Sequence, residues 1–138
     1  MAPATFALDA SALLAYLLKE RGSEVVSAAV EAGASMSTVN LAEALSTLAK
    51  NGADPVAFAA DLTRGGLLGG AITVQPFTVA DAIEAARLRP LTIDAGLSLG
   101  DRACIAQAAR LDLPVLTSDQ DWRGLDLPVE VRHFRGPN

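Results

Sequence analysis

Short apolar runs that stop at a polar or acidic residue alternate along this chain with stretches whose leucines, valines and alanines recur every three or four positions. Thr5-Phe6-Ala7-Leu8 reads as a first strand closed by Asp9, and Leu13, Leu14, Leu17 and Leu18 line the face of a following helix with Ser11 as its N-cap. Gly22-Ser23 ends that helix and opens another through Val25, Val26 and Val30, which Gly33 stops. Ala34-Ser35-Met36-Ser37 is a weak second strand. It leads into a helix with Leu41, Leu45 and Leu48 on one face, Glu43 in its first turns and Asn51-Gly52 as the stop.

Asp54-Pro55 is an N-cap and first-turn pair for a helix through Phe58 and Leu62. The glycines at 65, 66, 69 and 70 make a loop, and with no Gly-Lys-Ser or Gly-Lys-Thr after them they do not form a phosphate-cradling P-loop. Ala71-Ile72-Thr73-Val74 is the third strand. Thr78 caps a helix through Val79, Ile83, Ala86 and Leu88 that should end before Pro90. A helix from about Gly100 to Leu111, a fourth strand at Pro114-Val115-Leu116-Thr117, a turn around Trp122 and a last strand from Val129 to Phe134 complete the chain. This alternation implies an α/β fold with a parallel, or mostly parallel, sheet covered by helices on both faces. With no repeat and no linker, residues 1–138 read as a single domain.

A hydrophobic content of 51% supports a sizeable core. The net charge of −5 narrows the possible partners, because nucleic acid would be bound against the field unless bound cations or a local basic patch offset it. The one cysteine, Cys104, lies in an apolar helical pattern. It reads as a small core residue, which suits a reducing cytoplasm. Asp9 interrupts the N-terminal apolar run, so no signal peptide is expected. The longest uncharged run, Gly65 to Ala80, holds four glycines and Pro76, so no membrane span is expected either.

Four acids stand where strands end or helices begin. Asp9 follows the first strand and Asp119 the fourth, while Glu43 and Asp101 lie early in helices. Ligands of open parallel sheets bind outside the carboxyl ends of the strands, so all four acids can face one site. Each also has a structural use: Asp9 in an Asx-turn or cap, Asn40-x-x-Glu43 and Ser98-x-x-Asp101 as capping boxes, and Ser118-x-x-Asp121 as another, with Asp119 an alternative cap. Capping alone does not justify gathering them, since two carboxylates about 4 Å apart repel by about 4 kcal/mol at an effective dielectric near 20. A shared proton or a divalent cation would relieve that, and oxygen-only ligation suits magnesium or manganese. His133, the only histidine, sits in the last strand without a nearby Gly-x-Ser-x-Gly pattern, which argues against a serine hydrolase.

Leu8-Asp9-Ala10-Ser11-Ala12-Leu13-Leu14, Val39-Asn40-Leu41-Ala42-Glu43, the stretch from Leu97 to Ala106, and Val115-Leu116-Thr117-Ser118-Asp119 come in the order and spacing of four motifs of one family. Through them the chain resembles the PIN-domain ribonucleases, and within these the VapC-type toxins of bacterial toxin–antitoxin pairs. The resemblance implies a PIN-like three-layer sandwich with a central five-stranded parallel sheet. It also implies a metal site of Asp9, Glu43, Asp101 and Asp119, with Asp121 a second candidate for the fourth position. Cleavage of RNA with magnesium or manganese, homodimerisation and a VapB-like antitoxin whose tail covers the site follow from the same likeness.

Ser11, Asn40, Ser118 and Arg102 are candidates for contacts behind the acids or to phosphate, and Arg102, Arg123, Arg132 and Arg135 for contacts to RNA. An aspartyl phosphatase would want an acid where Ser11 stands, and a phospho-receiver would need a late lysine, whereas the last is Lys50. A catalytically inactive RNA- or protein-binding module of the same fold is the remaining alternative.

Overall fold

The computed structural model describes residues 4–136. In chain order the elements are β1 (Phe6–Leu8), α1 (Ala10–Leu18), α2 (Ser23–Ala32), β2 (Ala34–Ser37), α3 (Thr38–Lys50), α4 (Pro55–Arg64), β3 (Ile72–Gln75), α5 (Val79–Thr92), α6 (Leu99–Leu111), β4 (Val115–Thr117), a 3-10 turn (Gln120–Trp122) and β5 (Val131–His133). The strands form one sheet in the order β3-β2-β1-β4-β5, and every pairing is parallel. Phe6 aligns with Ala34, Ala7 with Val115, and Thr117 with His133. The strand order reverses between β1 and β4, so the residues that follow these two strands flank the crevice where a ligand of such a sheet sits. Asp9 and Asp119 are those residues.

Alternation along β1 and β4 divides the core into two layers. Leu8 and Leu116 face one side and pack with Leu13, Val26, Met36 and Ile72. Ala7 and Val115 face the other and pack with Leu88, Cys104, Ile105 and Trp122. Small side chains let α6 lie close against the sheet, since Ala103, Ala106 and Ala108 are all buried there. Cys104 is fully buried among them, as a core residue.

Several boundaries differ from the sequence pattern, each for a local reason. Asp9, not Ser11, caps α1 by accepting from the Ala12 amide. Ser37 caps α3, which places Asn40 inside the helix and removes it as the cap of a box with Glu43. Asp119, not Ser118, caps the 3-10 turn by accepting from the Asp121 amide. α5 runs through Pro90 to Thr92, because Leu88 and Thr92 are buried on its inner face and Thr92 Oγ1 donates to the Leu88 carbonyl at 2.8 Å. β5 is shorter than expected because β4 offers only Val115–Thr117 as partners, although Phe134 N still donates to Thr117 O at 3.1 Å.

One ion pair ties the α5–α6 layer together. Asp81 is buried, closes a capping box with Thr78, and accepts from Arg110 Nε at 2.8 Å and from its NH2 group at 3.1 Å. Burial alone would raise the Asp81 pKa, but the bonds from Arg110 and Thr78 outweigh it and hold the carboxyl below its ordinary value. Its stabilisation is therefore present at neutral pH and lost as pH falls through the lowered value. Asp81→Ala is expected to destabilise the protein by about 2 kcal/mol at pH 7, through loss of the cap and of a charge-assisted hydrogen bond. The penalty should shrink on acidification, and urea unfolding at pH 7 and at pH 3.5 reads the difference.

Candidate active site

Asp9 is the most constrained of the acids. It ends β1 at the centre of the sheet and is 4% exposed. Its Oδ1 accepts from Ser11 Oγ at 2.6 Å and from the Ala12 amide at 2.9 Å, while Oδ2 accepts from Thr117 Oγ1. Both hydroxyls are held in turn by the end of β4, because Ser11 Oγ accepts from the Ser118 amide at 3.1 Å and Thr117 Oγ1 from the Asp119 amide at 3.0 Å. The Asp9 carboxylate is thus clamped across the two strands that flank the crevice. Burial raises its pKa from 3.8 to about 6 against the lowering effect of those bonds, and the nearby charge of Asp101 adds to the rise.

Asp101 arrives from the other side, in the first turn of α6. Its Oδ2 accepts from the Ser98 amide at 2.9 Å and its own amide donates to Ser98 Oγ at 3.2 Å, so the expected capping box is present. The box fixes the carboxylate without using its second oxygen. Burial pushes the Asp101 pKa up, opposed by the bonds to Ser98, and the charges of Asp119 and then Asp121 push it further in the same direction. Glu43, on α3, is half-buried, and its pKa is raised by burial and by Asp101 despite a hydrogen bond from Asn40 Nδ2 at 3.0 Å. Charge from Asp9, Asp101 and Glu43 all reaches the Cys104 thiol beneath them, whose pKa burial already pushes up.

Four acids expected to converge therefore do share one end of the sheet. They differ in how they are held. Asp119 Oδ1 accepts from the Asp121 amide at 2.9 Å, and the Asp119 backbone carbonyl lies 2.9 Å from His133 Nε2. Among the described residues, no three His, Cys, Asp or Glu side chains stand close enough to enclose an ion as placed. Their oxygens are turned instead to the hydrogen bonds described above. Both Asp119 and Asp121 act on Asp101, with Asp119 the stronger influence.

The supporting residues sort differently from the sequence reading. Arg102 is 7% exposed and donates to the Ala85 carbonyl at 2.8 Å, which ties it to α5 and takes it out of the set of phosphate contacts. Arg123 bonds to Gln120 and to the Gly136 carbonyl, Arg135 pairs with Glu20 at 3.3 Å, and Arg132 lies over the Phe6 ring. Three contributors had no specific role in the sequence pattern. Thr117 anchors Asp9, His133 braces the Asp119 backbone, and Gly100 leaves room for the Glu43 carboxylate. For Thr117 the available signal was a hydroxyl at the last position of a strand ending in an acid. His133 lies 14 residues from its partner and gave none.

Residues 6–127 match the PIN domain family, and the chain belongs to that family. A comparison with curated proteins returns no match. Among solved structures the fold is similar to that of VapBC2 from Rickettsia felis bound to a DNA fragment from their promoter. The two share 13% identity over 94% of this chain and 98% of that one, with a TM-score of 0.69. DNA-bound VapBC from Salmonella typhimurium gives 14% identity, coverage of 97% and 99%, and a TM-score of 0.69. FitAcB from Neisseria gonorrhoeae gives 23% identity, coverage of 92% and 96%, and a TM-score of 0.65. The likeness at these identities is one of fold, and it matches the five-stranded parallel sheet with helices on both faces.

Because the folded Asp9 pKa of about 6 lies above its ordinary value of 3.8, the folded state holds a proton between these pH values that the unfolded chain has shed. In EDTA, the stability due to this proton is lost as pH rises through 6, by up to about 3 kcal/mol. Asp9→Asn keeps a capping side chain and should flatten this loss. Melting temperatures of both proteins between pH 4 and 7.5 check it. Parallel curves would show that Asp9 does not titrate in this range.

Proposed function

We propose that this chain is a magnesium- or manganese-dependent endoribonuclease and the toxin of a toxin–antitoxin pair. The observation that carries the reading is a set of acids gathered at the strand-order reversal with no cation among them. Asp9, Glu43, Asp101 and Asp119 form none of the ion pairs found among the described residues. Membership of a family whose domains are generally nucleases supports the same class of reaction. An all-oxygen donor set that is short of positive charge fits a hard divalent cation.

Such a cation, held by Asp9 and Asp101 with Glu43 and Asp119 completing the shell, would lower the pKa of a water and offset charge on the phosphodiester. The protein's own part is to hold these carboxylates in place. Asp9 is fixed by Ser11 and Thr117, Asp101 by Ser98, and Asp119 by its turn and by His133. Arg123, directly after the turn that carries Asp119 and Asp121, is the arginine placed for contact with RNA approaching an acidic protein, whereas Arg132 lies over Phe6 at the start of β1 and Arg135 pairs with Glu20 past the end of α1.

VapBC and FitAB complexes among proteins of similar fold support an antitoxin as partner. A tail carrying a basic side chain to the carboxylates would satisfy them in the absence of a cation. A second copy of the chain would find apolar surface on α5, where Val79 and Ile83 are 79% and 66% exposed one turn apart. Among the described residues, no helix is long and apolar enough to cross a membrane.

Asp9→Asn should reduce magnesium-dependent cleavage of a mixed RNA substrate by at least about 100-fold, since groups behind a metal's direct ligands are already worth 10- to 100-fold. Saturating manganese at 100 times Kd should stabilise the wild type by about 2.7 kcal/mol and leave the variant's melting temperature unchanged. Wild-type cleavage by Asp9→Asn would place the reaction elsewhere. Manganese binding by the wild type without cleavage would make the chain an RNA- or protein-binding module.

A further inference from the structure

We propose, resting on the metal-dependent reading above, that Asn40 and Gly100 are positioning residues that hold the Glu43 carboxylate against the first turn of α6, next to Asp101. Asn40 is 1% exposed, and its side-chain nitrogen donates to Glu43 Oε1 at 3.0 Å and to the Gly100 carbonyl at 2.9 Å. Both partners are acceptors, so only the nitrogen can face them. The amide oxygen is thereby left buried without a partner, which is the consequence of that orientation. The two N–H groups are thus the reason for an asparagine here. An apolar residue of similar size would fill the space without orphaning an oxygen.

Gly100 supplies the complementary half. It is the second residue of α6 and has no left-handed backbone angle to require glycine, while a helix ordinarily gains from alanine at such a position. What excludes a side chain is Glu43. A Cβ on residue 100 would lie 2.3 Å from the Glu43 carboxyl carbon and closer still to its Oε2. The carboxylate occupies the volume the missing side chain leaves, and Asn40 keeps it there. An unrestrained glutamate on α3, with three rotatable bonds and a raised charge density around it, would turn to solvent.

If the two residues act through Glu43, their effects must vanish once its carboxylate is gone. The variants Gly100→Ala, Asn40→Leu, Glu43→Ala and Gly100→Ala/Glu43→Ala separate this from simple packing of α3 on α6. Manganese affinity, measured by isothermal titration, should fall at least about ten-fold in each single variant. The double variant should bind no more weakly than Glu43→Ala. Independently of metal, Gly100→Ala in EDTA should raise the melting temperature more in the Glu43→Ala background than with Glu43 in place. Wild-type manganese affinity in Gly100→Ala, a further loss in the double variant, or the same melting shift in both backgrounds would overturn the proposal. Wild-type protein that binds no manganese would defeat the metal reading instead, and the EDTA comparison would still decide whether Gly100 acts through Glu43. Asn40→Leu serves the same purpose if Gly100→Ala does not fold.

Discussion

The burial of a carboxylate at the centre of the sheet, within reach of other carboxylates, is the constraint around which this molecule is arranged. Asp9 sits at the end of β1, the strand beside the reversal of strand order, and donors from the first turn of α1 and the end of β4 converge on it. Those hydrogen bonds favour the ionised form, yet burial wins and the pKa rises to about 6. A fold under selection for stability alone would relieve such a site with an asparagine or an arginine. Here the strain is kept, and the ordinary devices of helix capping are used to hold it. Ser98 caps α6 and in doing so aims Asp101, while the Asp119 cap of the 3-10 turn sets the last acid beside it.

Capping and ligand presentation are therefore compatible uses of the same residues. Asp101 spends one oxygen on the Ser98 amide and keeps the other free. Asp9 spends both oxygens on donors, but a carboxylate has about four acceptor positions and three are filled. The acids do not close into a cage as they stand, and the hydrogen bonds that orient them explain why. For the proposed cation this leaves one acceptor position on Asp9 and one oxygen on Asp101, both on carboxylates already held by hydrogen bonds.

Much of this was legible in the sequence. The five strands, the six helices and the parallel arrangement follow from apolar runs alternating with helical periodicity, and the glycine cluster at 65–70 is the loop it resembled. The misplaced features share one cause, which is that tertiary contacts decide between neighbouring candidates. Ser11 and Asp9 both suit an N-cap, and Asp9 prevails because Ser11 is engaged with the end of β4. Pro90 reads as a stop, and burial of Leu88 and Thr92 carries the helix past it. Arg102 follows an acid at a helix start, which suggests an exposed contact, whereas the close approach of α5 buries it. Gly100 carried no local signal at all, because the group that requires it comes from a helix some 60 residues earlier in the chain.

Exchange of a proton for a divalent cation at these carboxylates is the property on which the proposed function depends most directly. Titration calorimetry of manganese into the metal-free protein at pH 6, repeated in buffers of different ionisation heat, measures both binding and the protons it displaces. Saturable binding with proton release, absent in Asp9→Asn, is the expected result, since about half of Asp9 is protonated at that pH. Absence of saturable binding, or identical heats from wild type and Asp9→Asn, would contradict it.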